Sequence, residues 1–98
     1  MNYSFLPEAE AEYIEAVRFY EEQQAKLGGS LINEFERAID LITERPEAWR
    51  LVHSSGIRRI GLLRFPYSVF YRVLSDGLQI TAFAHHRRRP EYWLTRIR

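Results

Sequence analysis

The stretch YSVFYRVLSDGLQITAFAH, from Tyr67 to His85, decides the fold of this 98-residue chain. Two runs rich in β-branched and aromatic residues, 67–74 and 78–85, flank Asp76-Gly77, a dipeptide typical of tight β-hairpin turns. Residues 56–63 predict a further strand, and Pro66 marks the turn that joins it to the hairpin. Because every connection is short, the three strands are expected to form an antiparallel meander.

The first half of the chain has helical rather than alternating periodicity. Residues 2–6 predict a short strand, and Pro7 suits the first position of a helix. Gly28-Gly29 is expected to end that helix, Ser30 to cap a second one, and Pro46 to end the second. Apolar residues recur every three to four positions in both helices, at Ala9, Tyr13, Ala16, Val17 and Tyr20, then at Leu31, Ile32, Phe35, Ala38, Ile39 and Ile42.

These patterns together predict a single α+β domain over residues 1–98: an N-terminal strand, an α-helical hairpin and a three-stranded antiparallel meander. Strand alternation then assigns the two faces of the sheet. The residues placed against the helices are Leu78, Ile80, Ala82 and Ala84, and those placed on the open face are Gln79, Thr81, Phe83 and His85. The open face is therefore expected to carry Arg59, Arg72 and His85, with Arg87 just beyond the strand.

The formal charge of +1 conceals an uneven distribution along the chain. Residues 1–49 contain four Lys or Arg and eleven Asp or Glu, a net −7, whereas residues 50–98 contain ten Arg and two acids, a net +8. Arginine forms planar, bidentate contacts with phosphate and carboxylate groups and stacks on rings. The simpler interpretation, that an acidic helical layer attracts a basic sheet, explains only part of this pattern.

Several classes of protein are not indicated. The chain has no cysteine, so a disulfide framework is excluded, and no apolar run approaches the ~20 residues of a membrane span. The first five residues carry no basic signal region, and we expect a cytoplasmic protein without a membrane association. His85 and His86 are adjacent on a strand and point to opposite faces, so they cannot chelate one ion. We therefore expect no metal site and no cofactor.

The candidate binding residues lie where the last strand ends, in HHRRRPEYW, residues 85–93. Three consecutive arginines could form a solvated basic end, but Pro90, Tyr92 and Trp93 are expected to pin them near the sheet. Arg58-Arg59 is a second basic pair, of which alternation favours Arg59 as the outward-facing member. The acidic stripe of the first helix is most simply a solvated face. A cation cluster interleaved with aromatics suits an anionic partner, such as nucleic acid, a nucleic-acid enzyme or an acidic protein segment.

Across its whole length the chain resembles the RelE/ParE toxins of type II toxin–antitoxin systems. The resemblance rests on Pro7 and Ala9 opening an Ala/Tyr-rich helix, FYE at 19–21, LG at 27–28, IRR at 57–59, RFPYSVFYR at 64–72 and AHHRRRPEYW at 84–93. It implies the fold predicted above and a role as a toxin, with plasmid stabilisation as one context. One branch of the family cleaves messenger RNA on the ribosome, and the other inhibits DNA gyrase.

This sequence is more similar to the ParE branch. Gly61 and Ser68 stand where the ribonucleases carry basic residues, whereas the Phe65-Pro66-Tyr67 turn and the C-terminal ending are ParE-like. The resemblance implies gyrase as the target and a cognate antitoxin as the partner, with which the toxin would form an oligomer. The residues expected to bind target or antitoxin are Arg58, Arg59, Arg64, Arg72, Arg87, Arg88, Arg89 and Trp93.

Two alternatives stand beside that interpretation. In a ribosome-dependent mRNA endonuclease, Arg59, His85, His86, Arg87 and Tyr92 would supply the base, the acid and the charge stabilisation of metal-free RNA cleavage. The other alternative is an inactive toxin-like module that only binds a partner.

Overall fold

The computed structural model describes residues 2–97, and within that range the chain forms two helices and one five-stranded sheet. The elements are β1 (Tyr3–Phe5), α1 (Pro7–Gln23), α2 (Leu27–Glu44), β2 (Arg50–Leu51), β3 (Arg58–Gly61), β4 (Tyr67–Leu74), β5 (Gly77–His85) and a C-terminal 3₁₀ helix (Leu94–Ile97). The strand order is β1-β5-β4-β3-β2, with β1 parallel to β5 and the other pairs antiparallel. The predicted α+β fold is confirmed, while β2 and the 3₁₀ helix were not predicted.

The β4–β5 hairpin also positions the N-terminus. Its two-residue loop is Ser75-Asp76, and Gly77 follows with a φ of 147°, a conformation that residues with a Cβ rarely adopt. A Cβ at Gly77 would collide with the Asn2 carbonyl oxygen, which accepts the Leu78 N–H at 2.8 Å. Glycine at this position therefore lets β1 join the sheet beside the hairpin turn.

The turn between the helices differs from the predicted one. α1 ends at Gln23, and α2 begins at Leu27, so Gly28 and Gly29 lie inside the second helix and Ser30 is not its cap. The Glu21 carboxylate accepts the backbone N–H groups of Lys26 and Gly28, each at 3.0 Å. The Glu21 side chain therefore accepts hydrogen bonds from free backbone N–H groups at the start of α2, which is the role that a serine cap would otherwise have. A Cβ on Gly28 would lie 2.8 Å from the Val17 carbonyl oxygen, so this glycine sets how closely the helices pack.

Both helices pack on one face of the sheet and enclose the main core. Phe35 of α2 lies at its centre, with ring centroids of Tyr13 and Phe5 at 4.4 and 5.6 Å. Of the predicted α2 stripe, Ile32 is exposed and the other members are buried. Tyr71 is buried beneath the end of α2 and donates its hydroxyl proton to the Pro46 carbonyl at 2.6 Å. Burial raises the pKa of Tyr71 to about 12.

A β-bulge in β5 makes part of the predicted face assignment wrong. Phe70 pairs with Ala82 and Tyr71 with Ile80, so Thr81 has no partner on β4 and the alternation shifts by one residue. Leu78 and Ile80 face the helices as predicted, but beyond the bulge it is Phe83 that packs in the main core. Ala82 packs on the opposite side, with Ile57 and Trp93. Strand alternation holds only where pairing is uninterrupted, and this irregularity reverses the faces over the last four residues of β5.

The sheet face opposite the helices is not fully open. The C-terminal segment, residues 86–97, crosses it and packs Trp93 against Ile57 and Ala82, with Phe70 partly buried alongside. Trp93 is 2% exposed, so it closes a second, smaller apolar cluster. The strand ends, the C-terminal segment and the uncovered part of this face together form the candidate site.

Candidate functional site

A shallow groove lies between the end of β5, the neighbouring strands and the C-terminal segment. Its polar lining is Arg59, Ser68, His85, His86, Arg88, Arg89, Glu91 and Tyr92, and its apolar lining is Phe70, Ala84, Pro90 and Trp93. We call it the basic groove. Its volume is about 120 Å³. Since ligand pockets generally measure roughly 300–1,000 Å³, the groove does not enclose a metabolite and suits a protruding group of a larger partner.

Arg59 reaches the groove from the uncovered sheet face, as predicted. Its Nε donates a hydrogen bond at 3.0 Å to the hydroxyl of Ser68, which is itself 2% exposed. Gly61 lies on the same face of β3, and a Cβ there would be in ordinary van der Waals contact with the guanidinium, 3.9 Å from Nη2. Among residues 2–97, no carboxylate lies within 4.0 Å of Arg59. The guanidinium is therefore oriented by the sheet and available to an external anion.

The two histidines exchange the faces predicted for them, because the bulge reverses the alternation. The His85 ring lies edge-on to Tyr67, 5.1 Å away, and contributes to a hollow lined by α1 residues as well as to the rim of the basic groove. Its Nδ1 accepts the Arg87 N–H at 3.0 Å. His86 lies beyond the strand, donates its N–H to the Pro66 carbonyl at 2.8 Å and exposes its ring along the groove.

The arginine run divides between three environments. A turn closed by the Arg88 N–H to the His85 carbonyl, at 3.0 Å, directs the three side chains differently. The Arg88 guanidinium lies 3.8 Å from the Tyr92 ring centroid and 3.8 Å from the Glu12 carboxylate. Arg89 lines the basic groove, whereas the exposed Arg87 is not among its lining residues. The run therefore supplies Arg88 and Arg89 to the groove, rather than a uniform basic end.

Trp93 and Tyr92 both make contacts that hold the C-terminal segment to the rest of the fold. Trp93, which was expected to contact a partner, is 2% exposed and packs against Ile57, and it also forms part of the apolar lining of the basic groove. The Tyr92 hydroxyl donates to Glu12 at 2.6 Å. Burial raises the pKa of Tyr92, and the hydrogen bond to Glu12 raises it further, so this hydroxyl is a poor source of a transferable proton.

The other candidate arginines do not line the basic groove. Arg58 faces the helix side and donates to the Trp49 carbonyl at 2.8 Å, and Arg64 pairs with Glu34 of α2 at 3.2 Å. Arg72 shares the face of Arg59 and donates to Gln79 at 2.8 Å, near the start of β5. Arg72 lies two residues, roughly 7 Å, along β4 from Phe70, which lines the groove, but Arg72 is not itself a lining residue. The structure thus brings together Arg59, Arg88 and Arg89 in the groove and leaves Arg58, Arg64 and Arg72 outside its lining.

Comparison with known families gives a specific match. The sequence model of the ParE toxin of type II toxin–antitoxin systems, parDE, matches residues 3–90. This chain belongs to the ParE toxin family. The fold is similar to a solved structure titled "Chromosomal ParDE TA system from P. aeruginosa", with a TM-score of 0.73 and 18% identity over 87% of this chain and 95% of that one. A search of curated proteins found no match.

Two further observations describe this ParE-family chain. Within residues 2–97 neither helix is long and apolar enough to cross a bilayer. Across the same range, no group of three or more His, Asp or Glu side chains is arranged to hold a metal ion.

The residue that the sequence analysis missed is Glu12. It was assigned to a solvated acidic stripe, but its carboxylate is partly buried and accepts hydrogen bonds from the Phe83 N–H, the Tyr92 hydroxyl and the Arg96 guanidinium. A signal was present, because Glu12 lies three residues after Ala9 and four before Ala16, the two buried positions of α1. A carboxylate on the buried face of a helix requires donors nearby, and here they come from the opposite end of the chain.

Proposed function

We propose that this ParE-family chain is a toxin that inhibits DNA gyrase, that a cognate antitoxin neutralises it, and that the basic groove makes the decisive contact with the target. Family membership supports the toxin role. The observation that supports the role of the groove in target binding is that Arg59, Arg88 and Arg89 line one groove, which is too small to enclose a substrate. Such a groove accepts a carboxylate or phosphate that projects from a macromolecule.

The geometry favours inhibition by binding over RNA cleavage. Four of the five residues of the nuclease alternative line the groove, but Arg87 does not, and the His85 ring packs edge-on to Tyr67. The Tyr92 hydroxyl donates to Glu12 and has a raised pKa. Arg59 and His86 could still bind a phosphate, but the Tyr92 hydroxyl, held by Glu12, is a poor general acid for metal-free cleavage.

The antitoxin is proposed to combine apolar anchors with acidic contacts to the basic groove. Exposed Ile14 and Phe19 on α1 offer apolar surface, at 47% and 50% exposure. If ion pairs to the groove contribute much of the affinity, Kd should rise measurably between 50 and 300 mM salt, on the order of tenfold or more. A salt-independent Kd would show that apolar anchors dominate and would remove the groove from the antitoxin contact.

The experiment that tests the function uses the purified protein in two assays. Gyrase supercoiling is measured in parallel with cleavage of messenger RNA on translating ribosomes. We expect supercoiling to stop while messages stay intact. Cleavage within codons that disappears in Arg59→Ala would establish the nuclease instead. Inactivity in both assays, without growth arrest on expression, would indicate a partner-binding module. Because gyrase acts in the cytoplasm, the proposal places the toxin there.

A further inference from the structure

The Glu12 carboxylate joins three parts of the molecule that are remote in sequence. Its Oε1 accepts the Phe83 N–H of β5 at 3.1 Å and Arg96 Nη1 at 2.8 Å. Its Oε2 accepts the Tyr92 hydroxyl at 2.6 Å and Arg96 Nη2 at 2.9 Å. One side chain of α1 therefore bonds the sheet and the C-terminal segment at the same time, with a bidentate arginine as its main partner.

The need for this arrangement arises at the edge of the sheet. β1 pairs with β5 from Leu78 to Ile80, and among residues 2–97 no strand neighbours the rest of β5 on that side. Beyond β1, the Phe83 N–H is satisfied by Glu12 and the Thr81 carbonyl by Arg96 Nη1 at 3.2 Å. Side chains thus replace a missing strand, and they also block this edge against pairing with another chain.

The same contacts fix the C-terminal segment on both sides of its groove-lining part. Tyr92 and Arg96 are bonded to Glu12, and the Arg88 and Arg96 guanidinium groups lie 3.8 and 4.9 Å from the Tyr92 ring centroid. Between Arg88 and Tyr92 lie three residues that line the basic groove, Arg89, Pro90 and Glu91. The position of the groove wall therefore depends on a carboxylate that is not in the groove.

We propose that Glu12 is a positioning residue, which holds the C-terminal segment so that Arg88 and Arg89 face Arg59 across the basic groove. The proposal rests on the proposed function for its last step, the effect on gyrase. Its first step, the anchoring of residues 86–97, stands on the geometry alone. The Glu12 pKa supports a charged anchor: burial alone would raise it, but hydrogen bonds from Arg96, Tyr92 and Phe83 outweigh burial and lower it.

The test compares Glu12→Gln with Glu10→Gln, which removes an equal charge from an exposed position of α1. Hydrogen exchange is followed at the Phe83 amide, at the Leu94 and Arg96 amides, and in α2. In Glu12→Gln we expect exchange at those three amides to accelerate by about tenfold, because charge-assisted hydrogen bonds are lost. Exchange in α2 should stay unchanged, and Glu10→Gln should behave as the parent protein.

Gyrase inhibition provides the second readout. The concentration of Glu12→Gln that halves supercoiling should rise by about tenfold at a temperature where both variants are folded. If Glu12→Gln does not fold, Tyr92→Phe is used instead, because it removes only the hydroxyl donor and keeps the ring against Arg88. Hydrogen exchange and gyrase inhibition should then change in the same direction, but to a smaller extent.

The outcomes separate the two proposals. If hydrogen exchange in Glu12→Gln accelerates equally in all elements, Glu12 contributes only to global stability, and the positioning role is overturned. Unchanged exchange in the C-terminal segment would overturn it as well. Local acceleration with unaltered inhibition would overturn the link to the target. If the parent protein does not inhibit gyrase, the proposed function fails, and the exchange pattern alone then decides whether Glu12 positions the segment.

Discussion

The two faces of the sheet are covered in different ways. On the helix side, apolar side chains from α1 and from four strands surround Phe35, and burial of apolar surface is the main force that holds the layers together. On the opposite side, Ile57, Ala82 and Trp93 form a small cluster, and its covering segment is held by hydrogen bonds to Glu12. The first arrangement determines global stability, whereas the second determines the position of a surface segment.

The largest effect is expected from truncation in the helix-side core. Phe35→Ala should cost about 4 kcal/mol of unfolding free energy, because it leaves a large cavity among closely packed rings. Urea denaturation measures the loss, with Ile32→Ala as the control, since Ile32 lies on the same helix and is 37% exposed. A loss below about 2 kcal/mol for Phe35→Ala would contradict the central role given to this core.

The next effect is expected on the opposite face. Trp93→Ala should cost about 3 kcal/mol, at the low end for a buried tryptophan, because the C-terminal segment can partly collapse into the space. Denaturation followed by far-UV circular dichroism gives the free energy, and hydrogen exchange shows where protection is lost. Loss of protection in α2 beyond the global decrease would mean that the two faces are not energetically separate.

A smaller effect is expected from the protonation of Glu12. Its folded-state pKa lies below the ordinary value of 4.5, so its ionised form stabilises the protein above that pH. This contribution, on the order of 1 kcal/mol for a partly exposed side chain, should disappear as the pH falls through the lowered pKa. Urea midpoints of the parent protein and Glu12→Gln should therefore differ at pH 7 and converge toward pH 3. A difference that persisted in acid would show that the charge of Glu12 is not the source.

The smallest effect is expected at the β3–β4 turn. The Arg64 side chain is 68% exposed, and its ion pair with Glu34 is screened by solvent. Arg64→Ala should change the unfolding free energy by less than about 0.5 kcal/mol, whereas Glu34→Ala should cost more because Glu34 also accepts the Leu63 and Arg64 N–H groups. Equal losses in the two variants would assign the stabilisation to the ion pair.

The parts of the fold that could be predicted depend on local patterns. Asp76-Gly77, Pro7, Pro46 and the two apolar helix stripes each act over a few residues. The bulge at Thr81 could not be predicted, because nothing in the strand's own sequence marks the residue that β4 skips. The faces of His85 and His86, which depend on that bulge, were consequently reversed.

The candidate site was predictable in its residue types but not in its assembly. The run 87–89 and Arg59 were singled out from the sequence, and Arg59, Arg88 and Arg89 do meet at one groove. The anchor could not be found by local reasoning, since Glu12 and Arg96 are 84 positions apart. Trp93 was expected to hold the arginine run near the sheet, but an aromatic beside arginines does not reveal which apolar residues it covers, here Ile57 and Ala82.

The central claim, that the basic groove and not the basic charge as a whole acts on the target, is tested most directly by a matched pair of variants. Arg59→Gln and Arg72→Gln remove the same charge from the same sheet face, one within the lining of the groove and one outside it, where Arg72 is bonded to Gln79. The account predicts that Arg59→Gln weakens gyrase inhibition by about tenfold or more and that Arg72→Gln leaves it within about twofold. Equal weakening by the two variants would contradict the account.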